Sequence, residues 1–131
     1  MEPRKGVALV DIIKAIRIVQ AQLLWKPDSV ERHLRRRINR QHLPKTATLD
    51  DYENLIRTVI HQPTAQIYIY WHSTLAELVP YVSVVGLVHG EAWLVMFGLD
   101  GILESAYIVE RPHYYLSEPE FEWVRELGDI A

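Results

Sequence analysis

The stretch Glu91–Arg111, EAWLVMFGLDGILESAYIVER, constrains the fold of this chain more than any other. Two apolar runs, Trp93–Phe97 and Ile102–Val109, flank Leu99-Asp100-Gly101. An Asp-Gly step between β-rich runs predicts a tight hairpin, because the turn needs positive φ, which Gly adopts freely and Asp tolerates. The first arm is apolar at both parities: Ala92, Leu94 and Met96 on one face, Trp93, Val95 and Phe97 on the other. A strand of that kind is covered on both sides and belongs in the middle of its sheet. The second arm carries Glu104, Ser105 and Tyr107, with Ser105 and Tyr107 expected on one face with Leu103 and Val109. Polar groups on a largely buried strand have either partners or a task.

Around this ribbon the periodicity predicts helices first. Val10, Ile13, Ile16, Val19, Leu23 and Leu24 form a helix-period stripe over residues 7–24, ended by Lys26-Pro27. Asp28-Ser29-Val30-Glu31 reads as the cap of a second helix to about Gln41, with a seam of Val30, Leu34 and Ile38. Thr48 with Asp51 caps a third, to about His61. Strands follow at Gln66–His72 and Val79–His89, with Gly86 as a bulge or bend. Ser117-Glu118-Pro119-Glu120 reads as a capping box opening a short acidic helix over residues 117–127. The expected fold is α+β: N-terminal helices packed on a four-stranded, mainly antiparallel sheet, with a short C-terminal helix. A chain of 131 residues makes one domain.

Composition removes several function classes. There is no cysteine, hence no disulfide scaffold or thiolate metal site. The six histidines make no His-x-x-x-His pair, and no HExxH, EF-hand loop, P-loop, GxGxxG or G-x-S-x-G elbow appears. No metal or other cofactor is expected. No run approaches the roughly 18 apolar residues of a membrane span, and the first residues do not read as a signal peptide. The expected location is the cytoplasm.

Charge is divided along the chain. Residues 1–45 hold eleven Lys/Arg against four Asp/Glu, and residues 46–131 hold three against thirteen. Such a split predicts a basic surface for a polyanion, an acidic tail, or the two paired together. The basic residues concentrate in the second helix, where His33, Arg37 and Arg40 share one flank of the seam, with Arg36 on the outer face. Arginine's planar fork suits bidentate phosphate contact. Neighbouring arginines also lower the pKa of His33, keeping it available as a base. A solvated helix face paired with the acidic tail is the structural alternative.

These pieces resemble a known arrangement: His33-Leu-Arg-Arg-Arg37 on a helix, then LDDYENLIRTVIHQP (Leu49–Pro63), then a tyrosine-rich strand. Trp93-Leu94-Val95, Gly101 and Ser105-Ala106-Tyr107 on the hairpin complete it. The chain resembles the barnase/EndoU/colicin D/RelE superfamily of small metal-independent ribonucleases, in its phage- or toxin-associated branch, over about residues 28–110. The resemblance implies RNA cleavage by transfer to the 2′-hydroxyl. It makes His33 the general base or acid and Arg37 the stabiliser of phosphorane charge. Ser105 takes the strand hydroxyl position, Tyr107 positions substrate, and Arg36 and Arg40 hold flanking phosphates. RNA and a cognate inhibitor protein are the implied partners. Two other functions stay open: a nucleic-acid binder without turnover, and a protein-interaction module docking a basic target on the acidic C-terminal face.

Overall fold

A computed structural model of the chain describes residues 6–130. The first helix, α1 (Leu9–Ala21), buries Ile12, Ala15, Ile16 and Val19, the three- and four-residue spacing of one helix face. It stops short of the predicted Leu24. Gln22 is extended, and Leu24–Trp25 becomes a two-residue strand, β1, parallel to a later one. Trp25 drives this change: its indole stacks on Tyr52 at 5.8 Å and donates to Glu53 at 3.1 Å, contacts that a continued helix would forfeit. The second helix, α2, spans Val30–Asn39. Asp28 does not cap it. Asp28 sits at φ 60° in the turn after Pro27, and the Ser29 hydroxyl donates back to Lys26 O at 2.8 Å. The third helix, α3 (Leu49–Ile60), has the predicted reciprocal cap, Asp51 N to Thr48 Oγ1 at 3.1 Å and Thr48 N to Asp51 Oδ2 at 2.9 Å.

The remaining elements are β2 (Gln66–Ser73), β3 (Leu78–Val88), β4 (Glu91–Gly98), β5 (Ile102–Ile108), α4 (Pro112–Tyr115) and β6 (Phe121–Glu126). A single 3₁₀ turn, Leu127–Asp129, follows. The class is α+β as expected, but the sheet has six strands rather than four, in the order β1-β5-β4-β3-β2-β6, antiparallel except for β1–β5. The acidic C-terminal helix expected over residues 117–127 is replaced by β6 against β2. Phe121, Trp123 and Val124 are strand formers, and β2 would otherwise present a bare edge. Trp123 Nε1 donates to Gln66 Oε1 at 2.9 Å across this pair.

The central ribbon is where the sequence puts it. β4 is third of six, with Trp93, Val95 and Phe97 in the helix-covered core. Ala92, Leu94 and Met96 lie in a second cluster on the opposite face, under Tyr68, Tyr70, Tyr81, Tyr107 and Tyr115. Gly86 is not a bulge, since β3 and β4 stay in register through Gly86↔Trp93. It is a close approach. A Cβ there would come within 2.7 Å of Gln62 Oε1, and the Gln62 amide takes both Leu87 N (2.9 Å) and Leu87 O (2.8 Å) just past the end of β2 pairing. The bulge lies instead in β5. Met96 pairs with Ser105 but Phe97 with Leu103, leaving Glu104 as the extra residue. Leu103 therefore joins the helix-side core while Tyr107 and Val109 join the other cluster, so Leu103 does not share their face.

Gly101 closes the β4–β5 turn at φ 80°, its N–H on Gly98 O at 2.9 Å. A Cβ at this position would collide with the Ile18 side chain of α1. Gly101→Ala is therefore expected to destabilise the chain by about 1–3 kcal/mol. Urea unfolding checks this, and an unchanged midpoint would contradict the account.

Candidate functional site

β1 pairs only with Ile102 and Leu103, so the outer edge of β5 beyond Leu103 has no strand beside it. Side chains take over. The buried Tyr52 hydroxyl donates to Ala106 O at 2.6 Å, and Ile108 N donates to His42 Nδ1 at 3.3 Å. α2 runs along this edge, and its C-terminus brings His42 there. Gln41 adopts φ 60°, Gln41 N bonds Ile38 O at 3.0 Å, and His42 N bonds Arg37 O at 2.9 Å. That is a Schellman turn with glutamine in the left-handed position usually held by glycine.

Arg37 is the centre of the site. Its side chain is 5% exposed, and its Cζ lies 5.6 Å from the centroid of the Tyr107 ring. Nη1 lies 3.1 Å from His42 Nδ1. A guanidinium has no acceptor, so with Ile108 N–H also aimed at it, Nδ1 carries the lone pair. The hydrogen-bond network thus assigns His42 as the neutral tautomer with its proton on Nε2. Arg37 Nε is buried with no partner, and burial lowers the pKa of the group. Among the described residues, none of Arg36, Arg37, Arg40 or Arg111 has a carboxylate within ion-pair distance, whereas Lys26 pairs with Glu104. The basic cluster is not consumed by the acidic half of the chain.

These groups line one cleft of about 600 Å³. Arg36 and Arg37 enter from α2 and Arg40 from its C-cap, Ser105 and Tyr107 from β5, and Arg111, Tyr114 and Tyr115 from the segment after it. Glu110 and Glu118 stand in the same wall. Tyr107 and Tyr115 share a hydrogen bond of 2.6 Å between their hydroxyls, and burial pushes the Tyr107 pKa up. Arg111 sits over Tyr114, 6.0 Å from the ring centroid, and Tyr114 is 74% exposed.

Of the residues singled out from the sequence, Arg36, Arg37, Arg40, Ser105 and Tyr107 meet here. His33 does not line the cleft. It lies one helical turn before Arg37, its ring 5.6 Å from Trp25, with Nδ1 buried and unpartnered. Its pKa is lowered, by burial first and by Arg36, Arg32 and Arg37 after that. Arg36, placed on the outer face by the helical wheel, nonetheless reaches the rim. His42, Arg111, Tyr114 and Tyr115 were not anticipated. For His42 the usual signal, a glycine after the helix, is missing, because Gln41 does that work.

Among the described residues no group of three or more His, Asp or Glu side chains could hold a metal ion, and no helix is long and apolar enough to cross a membrane. Comparison with protein-family models, with curated proteins and with solved structures finds no match to this chain.

His42, like His33, has its pKa lowered, by burial and then by Arg37. The folded chain therefore holds fewer imidazole protons than the unfolded chain below the ordinary value of 6.5. This part of the stability is complete above that value and falls as pH drops through it toward the folded values. The urea midpoint should fall between about pH 7.5 and about pH 5.5, and less steeply in His42→Asn, whose amide oxygen keeps an acceptor for Ile108 N–H. Equal slopes in the two proteins would show that His42 does not contribute.

Proposed function

We propose that the cleft binds the phosphodiester backbone of single-stranded RNA and cleaves it by transfer to the 2′-hydroxyl, in keeping with the ribonuclease resemblance of the sequence. The observation that carries this reading is the buried, unpaired Arg37 guanidinium with a free Nε. A buried cation without a counter-charge costs several kcal/mol, and an anion seated in the cleft offsets that cost. A phosphate accepts from the guanidinium fork in two places, and Arg36, Arg40 and Arg111 extend the positive wall along a strand.

In this reading the 2′-oxygen attacks the adjacent phosphorus and the bond from phosphorus to the 5′-oxygen breaks. The products are a 2′,3′-cyclic phosphate and a 5′-hydroxyl. Arg37 stabilises the charge gathering on the non-bridging oxygens, and His42 donates to them through Nε2–H. Ser105 and Tyr107 fix the sugar-phosphate against the strand. With Nδ1 occupied by two donors, His42 serves as a donor and not as a base. The attacking hydroxyl gives its proton to water, and the departing 5′-oxygen takes one from water. His33, which the resemblance makes the base or acid, acts only on the electrostatics of the helix, since it lies outside the cleft.

That displacement also favours a second reading, a nucleic-acid binder without turnover on the same cleft. One experiment separates the two. Incubation of the chain with single-stranded RNA in EDTA should yield cyclic-phosphate products, none from the deoxy substrate. Arg37→Ala should lower the rate on the order of a hundredfold, as loss of a charge-stabilising donor does. His33→Ala should stay within about threefold, the effect of a charge-field residue outside the cleft. Binding without products supports the binder, with a log–log salt slope of roughly −2 to −3 for three or four contacts on a single strand. RNA neither bound nor cut would end both readings.

A further expectation separates a ligand site from a packing residue. Replacing the lone buried charge in Arg37→Met should leave stability unchanged or raise it by about 1 kcal/mol while abolishing RNA binding. A loss of stability instead would mark Arg37 as structural.

A further inference from the structure

The division of charge along the chain becomes, in the fold, a division between opposite edges of the sheet. In the order β1-β5-β4-β3-β2-β6, α2 lies beside β5 near one edge and β6 closes the other. The α2 edge is basic. Arg32, Arg35, Arg36 and the C-cap Arg40 are exposed, and among the described residues none of them makes an ion pair. α2 holds one carboxylate, Glu31, in its first turn. Arg37, 5% exposed, lies on the same helix with its Nε buried and without a partner.

The β6 edge is acidic. Residues 118–129 hold five carboxylates, Glu118, Glu120, Glu122, Glu126 and Asp129, against one arginine, Arg125. β6 pairs only with β2, so the backbone groups on its outer side meet no strand. Trp123 stands on this edge 60% exposed, anchored by its indole N–H on Gln66 Oε1 at 2.9 Å.

We propose that the acidic β6 edge of one copy docks on the arginine face of α2 of a second copy, head to tail. The two faces are different surfaces, so the contact is heterologous, and each copy keeps one face free for the next. Its chemistry is guanidinium groups against edge carboxylates and over the Trp123 ring, and tryptophan and arginine are the residues that most often carry interface energy. The lengths agree. β6 extends about 20 Å at 3.3 Å per residue, and α2 about 15 Å at 1.5 Å per residue. Within one copy the faces do not meet, because three strands lie between β5 and β6. A basic segment of a different protein is the other occupant that the acidic edge suits. The second copy is favoured, because this chain itself supplies an unpaired arginine face. The inference needs only that the arginines take an anion, so it does not rest on the RNA reading. A docked edge covers Arg36 and Arg40, and with them one wall of the cleft.

Sedimentation tests this. In about 50 mM NaCl, between about 10 and about 300 µM protein, the average mass should climb past two copies. In about 500 mM NaCl it should stay at one, because contacts between exposed charges are screened. Two variants remove one face each. Arg32→Glu/Arg35→Glu spoils the accepting face outside the cleft, and Trp123→Lys/Asp129→Lys spoils the donating edge. Each alone should associate at least about tenfold more weakly than the native chain. Mixed in equal amounts they should form a 1:1 pair and nothing larger, since each retains the face that the other has lost. Urea unfolding checks that each variant is folded. If loss of the Trp123–Gln66 bond unfolds the second, Asp129→Lys with Trp123 retained replaces it, under the same expectations. A native chain that stays monomeric in low salt overturns the proposal. A native mass that stops at two copies does the same, since it marks a two-fold contact. Variants that associate alone as the native chain does, or that fail to pair when mixed, overturn it as well.

Discussion

A β-strand whose neighbour ends early must still satisfy its outward N–H and C=O groups, and β5 meets that demand with side chains. Its parallel partner covers only Ile102 and Leu103. Beyond that point Tyr52 takes Ala106 O and His42 takes Ile108 N. The same device recurs on β3, where Gln62 covers both polar groups of Leu87 after β2 has turned away. The two cases differ in what they leave behind. Gln62 spends both ends of its amide on one residue and makes a closed edge. His42 spends Nδ1 on Ile108 and Arg37, keeps Nε2–H, and holds a guanidinium at an edge no strand can cover. The cleft follows from that second solution.

Energetically Arg37 is the costly member of this arrangement. Its contact with the Tyr107 ring and its bond to His42 return part of the desolvation. Neither supplies a negative charge. The unpartnered Nε adds roughly 1–3 kcal/mol, the usual cost of leaving a buried donor unmade. A surface arginine paired with the acidic half of the chain would avoid the whole cost, and thirteen acidic residues lie beyond position 45. Glu110 and Glu118 line the same cleft, yet neither closes on the guanidinium. The charges that act on Arg37 come from Tyr52, Arg40, Arg36 and Tyr107, and no carboxylate is among them.

Much of this architecture was legible in local patterns, and the misses share a cause. The α3 cap, the Asp100-Gly101 turn and the double-sided β4 are set by residues adjacent in sequence, and all three stand as read. β1 and β6 are set by partners far along the chain. Trp25 needs Tyr52 and Glu53, and Phe121–Glu126 needs the free edge of β2. The capping-box pattern at Ser117 lost to that long-range pairing, as propensity commonly does to tertiary context. Within the site, Arg37 and Arg40 could be read from helical spacing, whereas Arg36 was read onto the outer face. His42 could not, because its position depends on Gln41 adopting a left-handed backbone that its residue type does not announce.

The bulge at Glu104 decides which chemistry reaches the cleft. β4 is apolar at both parities, so its pattern alone does not choose the face that each β5 residue presents. In strict alternation Ser105 and Tyr107 would accompany Leu103, whose side chain lies in the helix-side core. One extra residue reverses their parity. Leu103 stays under the helices, while Tyr107 turns to the tyrosine face and reaches both Arg37 and Tyr115. Ser105, Met96's cross-strand partner, turns with it into the cleft wall. The guanidinium comes from the helix layer and the hydroxyls from the opposite face, and they meet only where the sheet ends. A site built from both layers therefore requires an open edge on β5 and an odd residue within it. The two-residue β1 provides the first, and Glu104 provides the second.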